Sequence, residues 1–153
     1  MEIFKSKRSY IVLAILFVAV LPVFLFSFVV QQKEPWSPDQ LMEPGDLAFI
    51  LNDPQSQQPI VVSVGPGAVI KGSHQIGPTV ENVNLKKLED HLETLQRDAN
   101  VVIYCGCCPF NKCPNIRPAF AMLNTKGFKN HKLLNLPQNV KADWIDRGYP
   151  VNE

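Results

Sequence analysis

The chain has 153 residues, 46% of them hydrophobic, which is enough apolar material for one ordinary α/β core. Its formal net charge is +1, from 15 Lys and Arg residues and 14 Asp and Glu residues. Three of the basic residues (Lys5, Lys7 and Arg8) and one acidic residue (Glu2) lie before residue 31, so 12 basic and 13 acidic residues remain beyond residue 30. With neither a basic stripe nor a nucleic-acid-binding motif, the composition excludes nucleic acid as a partner.

The N-terminal part of the chain contains a long apolar stretch. From Tyr10 to Val30 there is no charged residue, and at about 1.5 Å per residue this length crosses a hydrocarbon core of roughly 30 Å. The basic residues before the stretch place the N-terminus in the cytoplasm. The sequence therefore predicts a single-pass membrane protein, with a transmembrane helix over residues 10–30 and the remainder on the periplasmic or exterior side.

A cleaved secretory signal is the alternative interpretation of residues 1–30. Such signals have an apolar region of about 7–15 residues, followed by small residues at the cleavage site. The apolar stretch here is longer, and Phe26 to Val30 contain no Ala-x-Ala-like site, so we favour an uncleaved anchor. In either case residues 31–36 are interpreted as a linker and residues 37–153 as an exported domain.

The domain begins with short predicted helices. Ser37 can cap a helix that has proline at its first position and Gln40 in a capping box. Pro44-Gly45 should interrupt that helix, and Asp46 to Leu51 should form a second helical piece. A polar loop is expected next.

The first predicted strand is Ile60 to Val64, a β-branched run that Gly65-Pro66-Gly67 ends sharply. Residues 72–78 contain too many helix breakers for a regular element. A helix capped by Asn84 should follow. Its core-facing side carries four leucines at helical spacing, Leu85, Leu88, Leu92 and Leu95.

The second predicted strand, Val101 to Tyr104, runs directly into Cys105. Pro118 is expected at the first position of the next helix. A third strand at Leu133-Leu134 and an amphipathic segment from Gln138 to Arg147 complete an alternation of strands and helices. This alternation predicts an α/β fold with a central, mostly parallel sheet and helices on both faces, preceded by the one transmembrane helix.

All four cysteines fall within nine residues, at Cys105, Cys107, Cys108 and Cys113. A loop that leaves the C-terminal end of a parallel strand and enters a helix is where α/β folds place anion-binding and nucleophilic groups. Backbone N–H groups and the positive end of the helix would lower the pKa of a thiol there below the free value of about 8.5. Cys105 is therefore the expected reactive residue.

A Tyr-Cys pair at the end of a strand, followed by a loop and a helix, resembles the active-site segment of the rhodanese family. The resemblance continues through Gly127-Phe128, Trp144 and the closing Gly148-Tyr149-Pro150-Val151, and more weakly through residues 72–77. It covers most of residues 36–151 and implies a rhodanese-like fold for residues 37–153. Three features differ from the family pattern: Gly65-Pro66-Gly67 stands in place of Asp-x-Arg, Pro137-Gln138 replaces paired glycines, and the active loop is enlarged.

The resemblance implies a sulfurtransferase in which Cys105 is the catalytic residue and carries sulfane sulfur as a persulfide, without a cofactor. Lys112 or Arg117 could then bind a small anionic sulfur donor such as thiosulfate, and a thiol would accept the sulfur. The remaining cysteines, Cys107, Cys108 and Cys113, could resolve the persulfide into a disulfide.

Other chemistries remain open at the cysteine loop. Cys105 and Cys108 form a C-x-x-C pair, as in thiol–disulfide redox proteins, although prolines keep the following chain irregular. The cysteines could instead form disulfides that stabilise an inactive binding module. Zinc on the four cysteines is disfavoured, because structural sites usually combine two C-x₂-C pairs about 15–20 residues apart. A phosphatase is excluded, since no cysteine is followed by five residues and an arginine.

Overall fold

The computed structural model describes residues 34–153. In this part of the chain five strands form one sheet in the order β1–β5–β4–β2–β3, and all neighbouring strands are parallel. The strands are β1 (Leu41–Met42), β2 (Ile60–Ser63), β3 (His74–Gln75), β4 (Asn100–Tyr104) and β5 (Asn130–Leu134). Four α-helices accompany them: α1 (Pro44–Asn52), α2 (Asn82–Glu93), α3 (Ile116–Thr125) and α4 (Val140–Asp143). The predicted α/β class and parallel sheet are confirmed.

The central strand β4 shows how the sheet is covered, because alternate side chains of a strand point to opposite faces. Val101 and Ile103 lie in a cluster of buried side chains with residues of α2 and α3. Val102 and Tyr104 lie in a second cluster, with residues of α1 and with Trp144, which follows α4. Helices therefore pack on both faces, as the sequence predicts.

The beginning of the domain differs from the prediction. Pro38–Gln40 form a single 3₁₀ turn, within which the Gln40 side chain accepts a hydrogen bond from the Ser37 backbone N–H as the capping box requires. The chain then becomes extended and pairs as β1 with β5. Pro44 begins α1 instead of interrupting a helix, because proline lacks an N–H that the first turn does not need.

Two other helix starts also lie earlier than predicted. Helix α2 begins at Asn82, so Asn84 is inside the first turn, where its side chain donates a hydrogen bond to the Pro78 carbonyl. Helix α3 begins at Ile116 and holds Pro118 at its third position, which is tolerated because first-turn N–H groups have no partner within the helix.

The final segment is divided into two elements. Asn139 caps α4 by accepting a hydrogen bond from the Ala142 N–H at 3.0 Å. A 3₁₀ turn, Ile145–Arg147, follows and ends at Gly148, whose φ of 71° is in the left-handed region that glycine tolerates. The prediction of one amphipathic segment from Gln138 to Arg147 is therefore wrong at Trp144, where the helix ends and the 3₁₀ turn begins.

The predicted transmembrane helix over residues 10–30 lies outside the described residues, as do the first three residues of the predicted linker. Within residues 34–153 no helix is both long and apolar enough to cross a membrane. Trp36, at the end of that linker, packs its ring against Phe110 and Phe120 at centroid distances of 6.1 and 5.8 Å.

The hydroxyl of Tyr104 joins β4 to the segment after β2. It accepts hydrogen bonds from the backbone N–H groups of Val69 and Ile70, at 2.9 and 3.2 Å, and lies 3.1 Å from Ser73 Oγ. We expect Tyr104→Phe to lower the free energy of unfolding by about 1–3 kcal/mol, because the buried Ile70 N–H and the partly buried Val69 N–H would lose their acceptor.

Tyr149→Phe is the matched control, since the Tyr149 hydroxyl has no hydrogen-bond partner among residues 34–153. Its effect should stay within about 0.5 kcal/mol. Urea denaturation measures both variants, and equal effects would contradict the role of the Tyr104 hydroxyl.

Candidate functional site

Cys105 lies immediately after β4, at the C-terminal end of a central strand of the sheet. Its side chain is only 1% exposed and belongs to the buried cluster on the α2 and α3 side. Strand β2 runs beside it, with Ser63 paired to Tyr104, so the turn after β2 passes close to the sulfur. This placement agrees with the position predicted for a reactive cysteine.

The loop after Cys105 brings all four cysteines together. Their sulfur atoms lie within 4.8 Å of one another, and the thiols are free. Cys107 Sγ is 3.4 Å from Cys105 Sγ and 3.3 Å from Cys108 Sγ. Cys113 is buried, whereas Cys107 is exposed, so the cluster extends from the core to the surface. We refer to these four side chains as the cysteine cluster.

Two backbone hydrogen bonds attach the loop to the chain that follows β5. The Gly106 carbonyl accepts from the Val140 N–H, and the Phe110 N–H donates to the Leu136 carbonyl, both at 3.0 Å. Gly106 is required at its position, because a Cβ there would lie 2.8 Å from a methyl carbon of Val140. The loop is therefore held at its start and near its middle.

Several hydrogen bonds favour the ionised form of Cys105. The Cys113 thiol, whose sulfur lies within 4.8 Å of the Cys105 sulfur, makes the largest contribution. The Cys107 backbone N–H, the Asn115 amide and the Cys107 thiol add to it, while burial opposes them. Together they lower the pKa of Cys105 to about 5. Hydrogen bonds to the charged form outweigh desolvation here, and this balance favours the thiolate form of Cys105 at neutral pH.

The pKa values of two neighbouring cysteines, Cys107 and Cys113, are shifted upward, opposite to that of Cys105. Burial, together with hydrogen bonds to Cys108 and Cys105, raises the pKa of Cys107 to about 12. The pKa of Cys113 is also raised, mainly by its interaction with the nearby Cys105 sulfur and then by burial. At neutral pH the negative charge therefore resides on Cys105, and Cys107 and Cys113 remain protonated donors.

The two cations predicted to bind an anionic donor differ in their surroundings. Lys112 is exposed at the end of the 3₁₀ turn Phe110–Lys112. Arg117 is half-buried and donates hydrogen bonds to Glu34 Oε1 at 2.6 Å and to the Asn111 carbonyl at 2.8 Å. Its guanidinium is already paired within the protein, whereas the Lys112 side chain extends from the loop. Their binding of a donor stays a prediction.

Two residues near Cys105 were not identified from the sequence. Gly65 lies so close that a Cβ on it would be 2.7 Å from Cys105 Sγ. Asn115, the residue before α3, is buried and donates its side-chain amide to Cys105 Sγ at 3.6 Å. An asparagine before a helix is a common N-cap, which was the available signal, but here its side chain contacts the sulfur instead of the helix.

The comparisons with known proteins support the fold alone. No family model and no curated protein matches the chain. Five solved chains match it, two of them complexes of EanB variants with hercynine. A Cys-to-Ser variant has a TM-score of 0.53 at 12% identity over 74% of this chain, and a double Cys-to-Ala variant has 0.55 at 12% over 80%. This chain spans only 27% and 29% of the length of those chains. At 12% identity the likeness shows a shared fold and no more.

Proposed function

We propose that residues 37–153 form a rhodanese-like sulfurtransferase domain that carries sulfane sulfur as a persulfide on Cys105. The observation that carries the proposal is a buried cysteine sulfur at the C-terminal end of a central parallel strand, which accepts a hydrogen bond from the Asn115 amide at 3.6 Å and lies 3.4 Å from the Cys107 thiol. These contacts agree with the lowered pKa of Cys105. The same donors can hold the outer sulfur anion of a persulfide. The two EanB structures that share this fold carry substitutions of cysteine, which is the residue type proposed to react here.

The proposed reaction begins with attack of the Cys105 thiolate on the outer sulfur of thiosulfate. The sulfur–sulfur bond of thiosulfate breaks, sulfite leaves with the electron pair, and a new sulfur–sulfur bond forms on Cys105. An acceptor thiolate then takes the outer sulfur as its own persulfide and returns Cys105 to the thiolate. Neither step requires a cofactor or an oxidant.

Access to Cys105 requires a movement of the loop, because its side chain is buried and the sulfur of the exposed Cys107 lies 3.4 Å from its own. Cys107 is the exposed member of the cysteine cluster, but its raised pKa makes it a poor first nucleophile. Sulfur entry by displacement of the segment 106–108 therefore agrees better with the charge distribution than relay through Cys107. In this proposal Lys112, an exposed cation on the same loop, attracts the anionic donor.

A membrane anchor over residues 10–30 remains part of the proposal and places this chemistry on the periplasmic or exterior side. In that setting a thiol acceptor depends on local reducing power.

The test is intact mass spectrometry after reduced, chelator-treated protein has been incubated with thiosulfate. The wild type should gain one sulfur atom and Cys105→Ser should gain none, because serine cannot form a persulfide. Cys108→Ser is the matched control and should keep the gain, since Cys108 is not among the donors to Cys105. An undiminished gain in Cys105→Ser would overturn the assignment.

A second chemistry is supported by the 3.4 Å separation of the Cys105 and Cys107 sulfurs. Cys107 could attack the inner sulfur of the persulfide, forming a Cys105–Cys107 disulfide and releasing hydrosulfide. Loss of two hydrogens instead of a gain of sulfur would indicate this outcome. In a Cys107→Ser/Cys108→Ser background the sulfur gain should then appear, whereas no gain in either background would contradict sulfur transfer.

A further inference from the structure

The cysteine cluster has the dimensions of a four-thiolate metal site. A tetrahedral Zn²⁺ ion with Zn–S bonds of about 2.3 Å requires its ligand sulfurs to be about 3.8 Å apart. Here the sulfur atoms of Cys105, Cys107, Cys108 and Cys113 all lie within 4.8 Å of one another, and two of the separations are 3.3 and 3.4 Å. The largest of these separations exceeds the tetrahedral value by about 1 Å, and the two short ones fall below it by about 0.5 Å.

The spacing of the cysteines along the chain does not reveal this arrangement. A single short loop lacks the two separated C-x₂-C pairs of common structural zinc sites. The 3₁₀ turn Phe110–Lys112 reverses the chain, with the Cys113 N–H bonded to the Phe110 carbonyl, and returns Cys113 to the core beside Cys105. One loop therefore brings four sulfur atoms together, whereas common structural zinc sites draw on two chain segments.

The surroundings of the cluster also match a site for thiolate ligands. Asn115 donates its amide to Cys105 Sγ, and its own orientation is set by the Val80 N–H, which donates to its side-chain oxygen at 3.0 Å. The Thr79 hydroxyl donates to the Asn115 carbonyl at 2.6 Å. Hydrogen bonds of this kind orient metal ligands and are part of functioning sites. The exposed side chain of Cys107 provides an entry path for an ion.

We propose that the cysteine cluster binds one Zn²⁺ ion through the sulfur atoms of Cys105, Cys107, Cys108 and Cys113. Binding requires all four sulfurs as thiolates, so protons leave the cysteines that are still protonated. The ion and the persulfide compete for the Cys105 sulfur, and a zinc-loaded chain does not accept sulfur until the metal is removed. The proposal depends on ligation alone and does not rest on the proposed sulfur transfer.

The test uses the full chain, solubilised in detergent, reduced and freed of metal, and titrated with Co²⁺ under anaerobic conditions. Co²⁺ reports its coordination by absorption, so a site of four thiolates should give the visible bands of tetrahedral cobalt and near-ultraviolet thiolate charge-transfer bands. Both should saturate at one Co²⁺ per chain, and added Zn²⁺ should remove them. Native mass spectrometry should find one zinc ion per chain.

Cys107→Ser is the informative variant, because the side chain is exposed and its loss should leave the fold intact. It should weaken Zn²⁺ binding by at least about tenfold, since removing even a hydrogen bond to a metal ligand costs about 10–100-fold. Asn111→Ala, an exposed position in the same loop, is the matched control and should bind normally. Absence of charge-transfer bands in the wild type, or unchanged binding by Cys107→Ser, would overturn the site.

The outcomes for metal and for sulfur are separable. A chain that gains sulfur from thiosulfate but shows no cobalt charge transfer would refute the metal site and leave the sulfurtransferase proposal standing. A chain that binds one Zn²⁺ yet gains no sulfur after the metal is removed would support the metal site and refute the sulfurtransferase proposal. If both proposals hold, equimolar Zn²⁺ should suppress sulfur gain in the wild type and a chelator should restore it.

Discussion

Gly65→Ala should reduce the gain of sulfur from thiosulfate at least about tenfold. A Cβ at this position would lie 2.7 Å from Cys105 Sγ and 3.4 Å from the Gly106 backbone nitrogen. The methyl group and the sulfur cannot both keep their places, and the Cys105 side chain is only 1% exposed. Overpacking of this kind costs about 1–3 kcal/mol in stability. It also occupies space next to the atom on which the proposed persulfide forms.

Gly67→Ala is the control for Gly65→Ala, because it makes the same change two residues away, where a Cβ would have no atom within 4 Å. The Gly67 backbone is not in the left-handed region. Its substitution should leave sulfur gain unchanged and should alter stability by less than about 1 kcal/mol. Intact mass after a fixed exposure to thiosulfate, together with urea denaturation, measures both variants. Equal sulfur gain in the two would show that the contact with Gly65 does not limit the reaction.

The position of Cys105 could be predicted because it depends on local signals. The β-branched run before it indicates a buried strand, and β4 is observed at Asn100–Tyr104. The role of Gly65 could not be predicted, because it depends on β2 and β4 being neighbours with Ser63 opposite Tyr104. The sequence alone does not show which strands are neighbours, so it does not indicate which turn passes close to the Cys105 sulfur.

The strands missed at the edges have a similar explanation. β1 and β3 are two residues long, too short for an alternating pattern, and only their pairing with β5 and β2 defines them. β5 was predicted too short because it begins with polar residues. His131 is nevertheless buried, and its Nε2 lies within hydrogen-bond distance of Gln40 and Asn124. Burial of a polar side chain depends on partners that are distant in sequence.

The convergence of the four cysteines is the part of the site that pattern analysis could least anticipate. Their clustering in the sequence was evident, but whether the sulfurs meet depends on the turn at Phe110–Lys112 and on the anchors of the loop at Val140 and Leu136. The same convergence determines the charge distribution, because protonated Cys113 and Cys107 become donors to Cys105. The geometry therefore links the reactivity of one cysteine to the presence of another.

This link predicts that Cys113→Ala changes the pH dependence of Cys105 alkylation by iodoacetamide in metal-free protein. The Cys113 thiol is the largest contributor to the lowered pKa of Cys105, so its removal should raise that pKa toward the free value of about 8.5. At pH 6 a full return would reduce the thiolate fraction about 300-fold. A more basic thiolate is intrinsically more reactive, with a Brønsted coefficient of about 0.4–0.5, so the net loss of rate should reach at most about tenfold.

The sign of the effect should reverse at high pH. At pH 9 Cys105 is ionised in the wild type and largely ionised in Cys113→Ala, and the more basic sulfur of the variant should react at least as fast. Site-resolved peptide mass spectrometry measures the rate at Cys105 itself. Cys113→Ser keeps a hydroxyl donor and should give an intermediate profile, whereas Cys108→Ala removes a cysteine that does not contribute to the pKa of Cys105 and should leave the profile unchanged. General unfolding would accelerate every cysteine at every pH. Rate profiles that cross between pH 6 and pH 9 would therefore identify the Cys113 thiol as the cause of the lowered pKa of Cys105, and parallel profiles would refute that role.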